Sequence, residues 1–271
     1  MIRPSQEMVK NQLLRQMSAE DYALLRPALV PTDLPQEMPL GEPGKPFLRA
    51  CFPDSGIGSI VALSPEGHKS EVGITGKEGM FGFALILDVD QTPHEIFMQV
   101  GGAGYFIDGD VLVDACQTSL SLQAGLLRYV QTYSLQTSFT ALSNATHSVE
   151  VRLARWLLMS HDRSEGDEIA LTHEFLSLML AVTRPSVTLA LHVLEGAHLI
   201  RSKRGLIIIR DRAGLEELAS DAYGSAEDEY ERLIGPLRHA PSALGGNEHP
   251  SENPAIARSG RLGTSPEDGP K

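Results

Sequence analysis

Residues 171–212 have the sequence LTHEFLSLMLAVTRPSVTLALHVLEGAHLIRSKRGLIIIRDR, the clearest structural pattern in the chain. Thr172 predicts the start of a short helix, because its hydroxyl can accept a hydrogen bond from an unpaired backbone N–H. Ala181-Val182 forms a small apolar corner. A second helix follows, with Pro185 in its first turn, where a missing N–H costs little, and with Gly196 at its end.

The second helix is amphipathic and is followed by a basic hairpin. Its apolar residues recur at three, four and seven positions, which predicts one buried stripe of Val187, Ala190, Leu191 and Leu194. The opposite face carries Arg184, Thr188, Leu189 and His192. Residues 200–209 predict two short strands around the turn Lys203-Arg204-Gly205. Helix, corner, helix and wing in this order predict a winged helix-turn-helix that docks on duplex DNA. The alternative is a helical hairpin with a solvated basic turn.

The charge of this stretch is opposite to that of the whole chain. Residues 184–212 hold six basic and two acidic residues, a net charge of +4, whereas the 271-residue chain carries −12. A local basic surface on an acidic protein is the pattern expected for contact with a phosphate backbone. The acidic total argues against general coating of nucleic acids or membranes.

Two groups of motifs resemble the Crp/Fnr family of bacterial transcription regulators. In the C-terminal half they are RLARWLL (152–158), TRPSVT (183–188), LEG (194–196) and LI (199–200). In the N-terminal half they are CFPDSG (51–56) and EVGITGKEGMFG (71–82). The resemblance covers roughly residues 11–224. It implies a cyclic-nucleotide-binding-like jelly-roll sensor, a long dimerisation helix and a C-terminal winged helix-turn-helix.

The pattern of the N-terminal half agrees with a jelly-roll barrel. Residues 47–109 alternate short apolar runs with glycine and proline, which is typical of many antiparallel strands joined by turns. Residues 11–29 precede them as a helical segment in which Ser18 suits a cap. The predicted fold class is α+β, with a sensor domain at 1–118, a long dimerisation helix and hinge at 119–143, a winged helix-turn-helix at 144–224 and a disordered, polar tail at 225–271.

The segment from Ser119 to Leu142 contains no proline and one charge, Arg128. It predicts a helix about 36 Å long. A long helix with few charges usually buries two faces, and the resemblance assigns one of them to a homodimer interface formed by Leu120, Leu127, Val130 and Tyr133. The alternative is a helix packed within one subunit. Ser143-Asn144-Ala145 is the predicted hinge to the DNA-binding domain.

The effector segment is predicted at Gly76, Lys77, Glu78 and Gly79, but the cation that the resemblance implies for a cyclic phosphate is absent. Residues 78–127 contain seven acidic residues and no lysine or arginine. Burying a phosphodiester there without a cation is unfavourable. We therefore expect that the protein does not depend on cyclic AMP. The alternative is that Lys77 supplies the cation for the phosphate. The effector that we expect instead is an unidentified small molecule. The repeated glycines suit either an anion cradle or turns of a barrel.

We predict no cofactor, no metal site and no enzymatic activity. Cys51 and Cys116 are too few for a four-cysteine iron–sulfur cluster and fit a reducing cytoplasm, with a thiol switch as the alternative to two buried thiols. No metal-binding spacing links His68, His94, His147, His161 and His173. No membrane segment or signal peptide is predicted, so we expect a cytoplasmic protein.

By position, the resemblance gives Arg184 the role of reading a guanine. Pro185 stands where many members carry an acidic residue that pairs with cytosine, and Leu189 where cyclic-AMP-binding members carry a second arginine, so the target sequence should differ. Two kinds of side chain suit contact with phosphates. They are the hydroxyls of Thr172, Thr183, Ser186 and Thr188 and the wing cations Lys203 and Arg204. For Ser186 and Thr188 the alternative is capping or solvation.

Together these patterns predict a homodimeric, sequence-specific transcription regulator acting on a pseudo-palindromic site. Its predicted partners are double-stranded DNA, a second copy of the chain, RNA polymerase and a small-molecule effector. The alternative is a ligand-binding or protein-interaction barrel with a helical adaptor domain that does not bind DNA.

Overall fold

The computed structural model describes residues 4–238 of the chain. The described chain opens with two short helices, α1 (Gln12–Gln16) and α2 (Ala19–Leu25). Both are capped, because the side chain of Asn11 accepts a hydrogen bond from the N–H of Leu14 and that of Ser18 accepts one from Asp21. The predicted helical segment with Ser18 as a cap is confirmed.

The N-terminal domain contains two antiparallel sheets. Its strands are β1 (Val30–Leu34), β2 (Pro39–Gly41), β3 (Arg49–Pro53), β4 (Ile57–Leu63), β5 (Lys69–Thr75), β6 (Glu95–Val100) and β7 (Gly102–Asp108). The first sheet has the order β1-β7-β3 and the second the order β2-β6-β4-β5. Leu34 and Phe106 from the first sheet share a core with Ile60 and Met98 from the second. The predicted antiparallel fold of this domain, for which we keep the name sensor domain, is confirmed, although within residues 4–238 it consists of two packed sheets and not of one closed barrel.

Helix α4 (Leu120–Thr146) follows α3 (Gly109–Thr118) and is longer than predicted. Its 27 residues span about 40 Å. The prediction of a hinge at Ser143-Asn144-Ala145 is wrong, because these residues continue the helix and the carbonyl of Ser143 accepts a hydrogen bond from the N–H of His147. The backbone becomes extended at His147 and Ser148, and the Ser148 side chain caps the next helix.

The C-terminal domain has the predicted order of helices and wing. It comprises α5 (Val149–Arg163), β8 (Glu168–Ala170), α6 (His173–Leu180), α7 (Arg184–Gly196), β9 (Ile200–Lys203), β10 (Leu206–Ile209) and α8 (Arg212–Ala219). The strands form a sheet of order β8-β10-β9, in which β8 is an element that the sequence did not predict. Leu157, Leu176 and Leu194 belong to one buried core. Among the described helices none alone is long and apolar enough to cross a membrane, whereas the bent pair α6 and α7 meets that test together.

The prediction of a disordered tail from residue 225 is wrong for its first part. Ser225–Leu233 forms helix α9, which packs against α4. Tyr230 is 4% exposed, and its hydroxyl donates to the carbonyl oxygen of Glu78 at 2.6 Å. Residues 225–233 are acidic overall, but they include one apolar stripe, which is buried by the contact with α4. Residues 239–271 of the predicted tail lie outside the described residues.

Candidate nucleic-acid interface

The corner between α6 and α7 is tight and exposes the start of the second helix. Thr172 caps α6 as predicted, since its hydroxyl oxygen accepts a hydrogen bond from the N–H of Phe175. Ala181 adopts a left-handed conformation with φ of 48°, and its N–H donates to the carbonyl of Leu178. The two helices are bent by 100°, and residues 183–185 are exposed.

Helix α7 has the two faces that its periodicity predicts. The predicted stripe of Val187, Ala190, Leu191 and Leu194 is buried. The other face exposes Arg184, Leu189 and His192, while Thr188 is half-buried. Leu189 is 62% exposed and gives this face an apolar contact beside its cation.

The polar groups at the start of α7 have partners within the protein. Arg184 forms an ion pair with Glu174 of α6, with Nη2 and Oε1 at 2.9 Å and both side chains more than half exposed. The hydroxyls of Thr183 and Ser186 are hydrogen-bonded to each other at 3.0 Å. Thr188 Oγ1 donates to the carbonyl of Arg184 and lies 3.3 Å from Nδ1 of His173. Exposed ion pairs contribute at most about 1 kcal/mol, so a nucleic acid can replace the Arg184 partner at low cost.

The wing presents cations at the tip of a two-stranded hairpin. Gly205 has φ of 73°, a conformation that glycine adopts without strain, and the turn pairs Lys203 with Leu206. Lys203 and Arg204 are exposed, as are Arg201 and Arg210 on either side.

Arg212 belongs to the same basic stretch but has a structural role. Its Nη2 pairs with Asp162 Oδ1 at 2.8 Å and donates to the hydroxyl of Tyr223, while its Nε pairs with Glu216. Five of the six cations that the sequence assigns to this region are therefore exposed.

The residues predicted for the dimer interface divide into two groups. Leu120 and Leu127 are 77% and 38% exposed on α4, so much of their apolar surface is uncovered in the single chain. Tyr133 instead packs on Phe83 of its own subunit, with ring centroids 5.0 Å apart. Val130 is half-buried and lies, like Tyr133, at a cavity between α4 and the second sheet.

The segment predicted to bind an effector makes internal contacts. Oε1 of Glu78 accepts a hydrogen bond from Nε of Arg163 at 2.8 Å, and Oε2 accepts one from the N–H of Gly76. A Cβ atom on Gly79 would lie 2.3 Å from the hydroxyl of Tyr129, so this glycine permits close packing of α4. The carbonyl of Lys77 accepts a hydrogen bond from the N–H of Gln12. Through these contacts the segment packs against α4 and α5. They do not support its assignment as an effector-binding site.

Two buried polar contacts join the sensor domain to α5, and sequence reasoning missed both. Nε1 of Trp156 donates to Oε1 of Glu71 at 2.8 Å, and Arg163 pairs with Glu78 as described above. Burial raises the pKa of Glu71 to about 7. The rings of Phe97 in β6 and Phe175 in α6 lie 6.3 Å apart and add an aromatic contact between the same two domains.

Both cysteines are buried and have poorly reactive thiols. Burial raises the pKa of Cys51 to about 12 and that of Cys116 to about 11. The thiolate is the reactive form, so these values disfavour the thiol switch. Within the described residues no group of three or more potential ligands is arranged to hold a metal ion.

Comparison with known proteins identifies the helix-turn-helix and the fold. Residues 151–218 match the family model of the Crp-like helix-turn-helix domain. Similar solved structures include FixK2 from Bradyrhizobium japonicum, with a TM-score of 0.61 and 15% identity over 71% of this chain and 98% of that one. A CRP-family transcriptional regulator from Thermus thermophilus gives 0.58 and 17% over 69% and 96%.

A third similar structure is the c-di-GMP-responsive global regulator CLP of Xanthomonas campestris, with a TM-score of 0.57 and 19% identity over 71% of this chain and 99% of that one. No curated protein matches the sequence. The class of protein that the fold defines is therefore an N-terminal β domain joined by a long helix to a C-terminal helix-turn-helix. More particularly, residues 151–218 are a Crp-like helix-turn-helix domain, and the chain has the fold of Crp/Fnr-family transcription regulators.

Proposed function

We propose that this protein is a homodimeric transcription regulator that binds a pseudo-palindromic DNA site and does not require cyclic AMP. The observation that carries the proposal is the exposed face of α7 beside a cationic wing, on a chain whose net charge is −12. A basic surface confined to one helix and one hairpin directs an acidic protein to bind DNA in a single orientation.

Arg184 is the residue that we assign to base reading. It lies in the first turn of α7, the end that enters the major groove in helix-turn-helix proteins, and its guanidinium is more than half exposed. On DNA it exchanges Glu174 for the O6 and N7 atoms of a guanine. Leu189, five residues further along α7, is exposed and suits contact with a thymine methyl group.

Phosphate contacts are assigned to the wing and to the hydroxyls around the corner. Lys203 and Arg204 are exposed at the turn, and Thr172, Thr183, Ser186 and Thr188 lie on or beside the helix starts. In the Thr183–Ser186 hydrogen bond only the accepting hydroxyl keeps its proton for a phosphate oxygen, so the other hydroxyl can contact phosphate only if this bond breaks.

A dimer along α4 would present two copies of α7 to successive major grooves. Leu120 and Leu127 are large exposed apolar residues on the same helix, and a second copy would bury them. Two-fold symmetry then requires half-sites about 34 Å apart. Regulation would take place in the cytoplasm, through recruitment or exclusion of RNA polymerase.

Selection of duplexes from a random-sequence pool by mobility shift tests the proposal. The expected product is a family of sites with two-fold-related halves, retarded by a complex of two chains. A pool that the protein does not retard at low salt would contradict DNA binding and favour the protein-interaction barrel.

A further inference from the structure

A cavity of about 560 Å³ lies between the second sheet and helix α4. Its walls are mainly apolar, with Phe47, Ile60 and Phe83 on the sensor side and Val130 and Ala141 on α4. Small-molecule sites in proteins are concave, mostly apolar and typically about 300–1,000 Å³ in volume. The size and the lining of this cavity therefore match those of a ligand site.

The cavity contains no formal charge. Among its lining residues within 4–238 there is no lysine, arginine, aspartate or glutamate. Burial lowers the pKa of His94 below its ordinary value, so its imidazole is neutral at pH 7. An anion placed here would lose its hydration without gaining a cation, which excludes ligands with a phosphate or carboxylate group.

Polar groups are confined to a few places on the wall. Thr92 and His94 are hydrogen-bonded through Oγ1 and Nδ1 at 3.0 Å, which leaves Nε2 of His94 without a partner among the described residues. Thr137 and Ser138 also line the cavity, and each hydroxyl donates to the backbone carbonyl four residues earlier in α4 and can still accept a hydrogen bond.

We propose that this cavity binds an uncharged, largely apolar small molecule with one or two hydroxyl or carbonyl groups. The rings and aliphatic side chains bury the apolar part, and the Thr92–His94 pair bonds the oxygen. A second copy of the chain is a poorer occupant, because the exposed Leu120 and Leu127 of α4 lie outside the lining.

The cavity can influence the DNA-binding domain because α4 forms one of its walls. Helix α4 ends at Thr146, and α5 begins three residues later at Val149. A ligand that separates α4 from the sheet would change the direction in which α5 leaves. This regulatory consequence rests on the proposed function, whereas the binding itself does not.

Titration of the purified full chain with N-phenyl-1-naphthylamine, an uncharged dye that fluoresces in apolar surroundings, tests the inference without DNA. We expect saturable binding of one dye per chain with a micromolar Kd, displacement by 1-decanol, and no displacement by cyclic AMP. Ala141→Trp fills the cavity from α4 and should weaken binding at least tenfold. Ala145→Trp places the same side chain one turn further along α4, at an exposed position outside the lining, and should leave Kd unchanged.

Ser138→Phe is a second filling variant on the same wall, and circular dichroism establishes that each variant is folded. Absence of saturable dye binding, or equal binding by Ala141→Trp, Ser138→Phe and Ala145→Trp, would overturn the inference. Because DNA is not present, either result leaves the proposed function intact. Retained dye binding in a protein that binds no duplex would overturn the proposed function alone.

Discussion

Nε of Arg163 in α5 donates to Oε1 of Glu78 in the sensor domain at 2.8 Å, and both side chains are 2% exposed. The two residues are 85 positions apart in sequence. The same glutamate accepts a hydrogen bond at its backbone carbonyl from Tyr230 of α9. One residue of the sensor domain is thus bonded to both ends of the C-terminal half, which holds the two domains together.

Breaking this pair from one side should destabilise the protein strongly. Arg163→Met leaves the carboxylate of Glu78 buried without its cation, and such losses cost about 3–5 kcal/mol. The double variant Glu78→Gln/Arg163→Met removes both charges and should recover part of that loss. Urea unfolding measures both effects.

Lys69→Met is the matched control for the Arg163 variant. Its partner Glu95 lies at 2.6 Å, but both side chains are more than a third exposed, so the change should be at most about 1 kcal/mol. Equal losses for Lys69→Met and Arg163→Met would show that the buried pair has no special role.

The stability of the protein should fall as pH rises through the range in which Glu71 ionises. Burial raises the pKa of Glu71 from 4.5 to about 7, so the folded protein retains a proton that the unfolded chain has lost. The associated stability is complete below pH 4.5 and is lost as pH approaches 7. Between pH 5 and pH 8 the wild type should lose about 2.5 kcal/mol relative to Glu71→Gln.

Denaturant unfolding at several pH values measures this difference. Glu66→Gln, at an exposed position, is the control and should follow the wild type at every pH. Parallel pH profiles for the wild type and Glu71→Gln would mean that Glu71 is ionised throughout.

Arg184 and Lys203 should affect DNA binding in different ways. Arg184→Ala should reduce discrimination at one base pair of each half-site by about 1–3 kcal/mol. Lys203→Ala should weaken binding to all duplexes equally and reduce the slope of log K against log salt by about one. Fluorescence anisotropy with matched and mismatched sites separates the two.

Lys45→Ala removes the same charge at an exposed site of the sensor domain and should change neither property. If Arg184→Ala and Lys203→Ala lower affinity alike at every base pair, Arg184 contacts only the backbone.

Cyclic AMP should not bind with micromolar affinity. Glu78 already forms a buried ion pair with Arg163. The cavity beside α4 has no cation among its described lining residues that could bind a phosphate. Isothermal titration calorimetry of the full chain should therefore show no saturable heat with micromolar cyclic AMP. A saturable isotherm in that range would refute the prediction and would favour Lys77 as the cation that binds the phosphate.

Local periodicity predicted the C-terminal domain well and its contacts poorly. The buried stripe of α7 repeats every three or four residues, so it can be recognised within one segment. Trp156 with Glu71, and Arg163 with Glu78, are pairs separated by 85 residues, and no local pattern identifies such partners.

Two of the wrong predictions, the hinge and the start of the disordered tail, have local causes. Ser143-Asn144-Ala145 resembles a flexible joint, but three short side chains without glycine or proline can also continue a helix. The segment after residue 225 is acidic, yet Ala226 and Tyr230 lie one turn apart and supply a buried face. The cavity beside α4 was not predicted, because it depends on how α4 packs against the second sheet, which is distant from it in sequence.

Two copies of α7 that enter successive major grooves require a fixed distance between half-sites, so we expect affinity to depend on that spacing. Anisotropy titrations would compare a selected site with the same site lengthened by about five base pairs, which rotates one half to the opposite side of the duplex. A two-fold dimer should bind the lengthened site at least tenfold more weakly and should regain its affinity when about ten base pairs are added. Equal affinity for all three duplexes would contradict it.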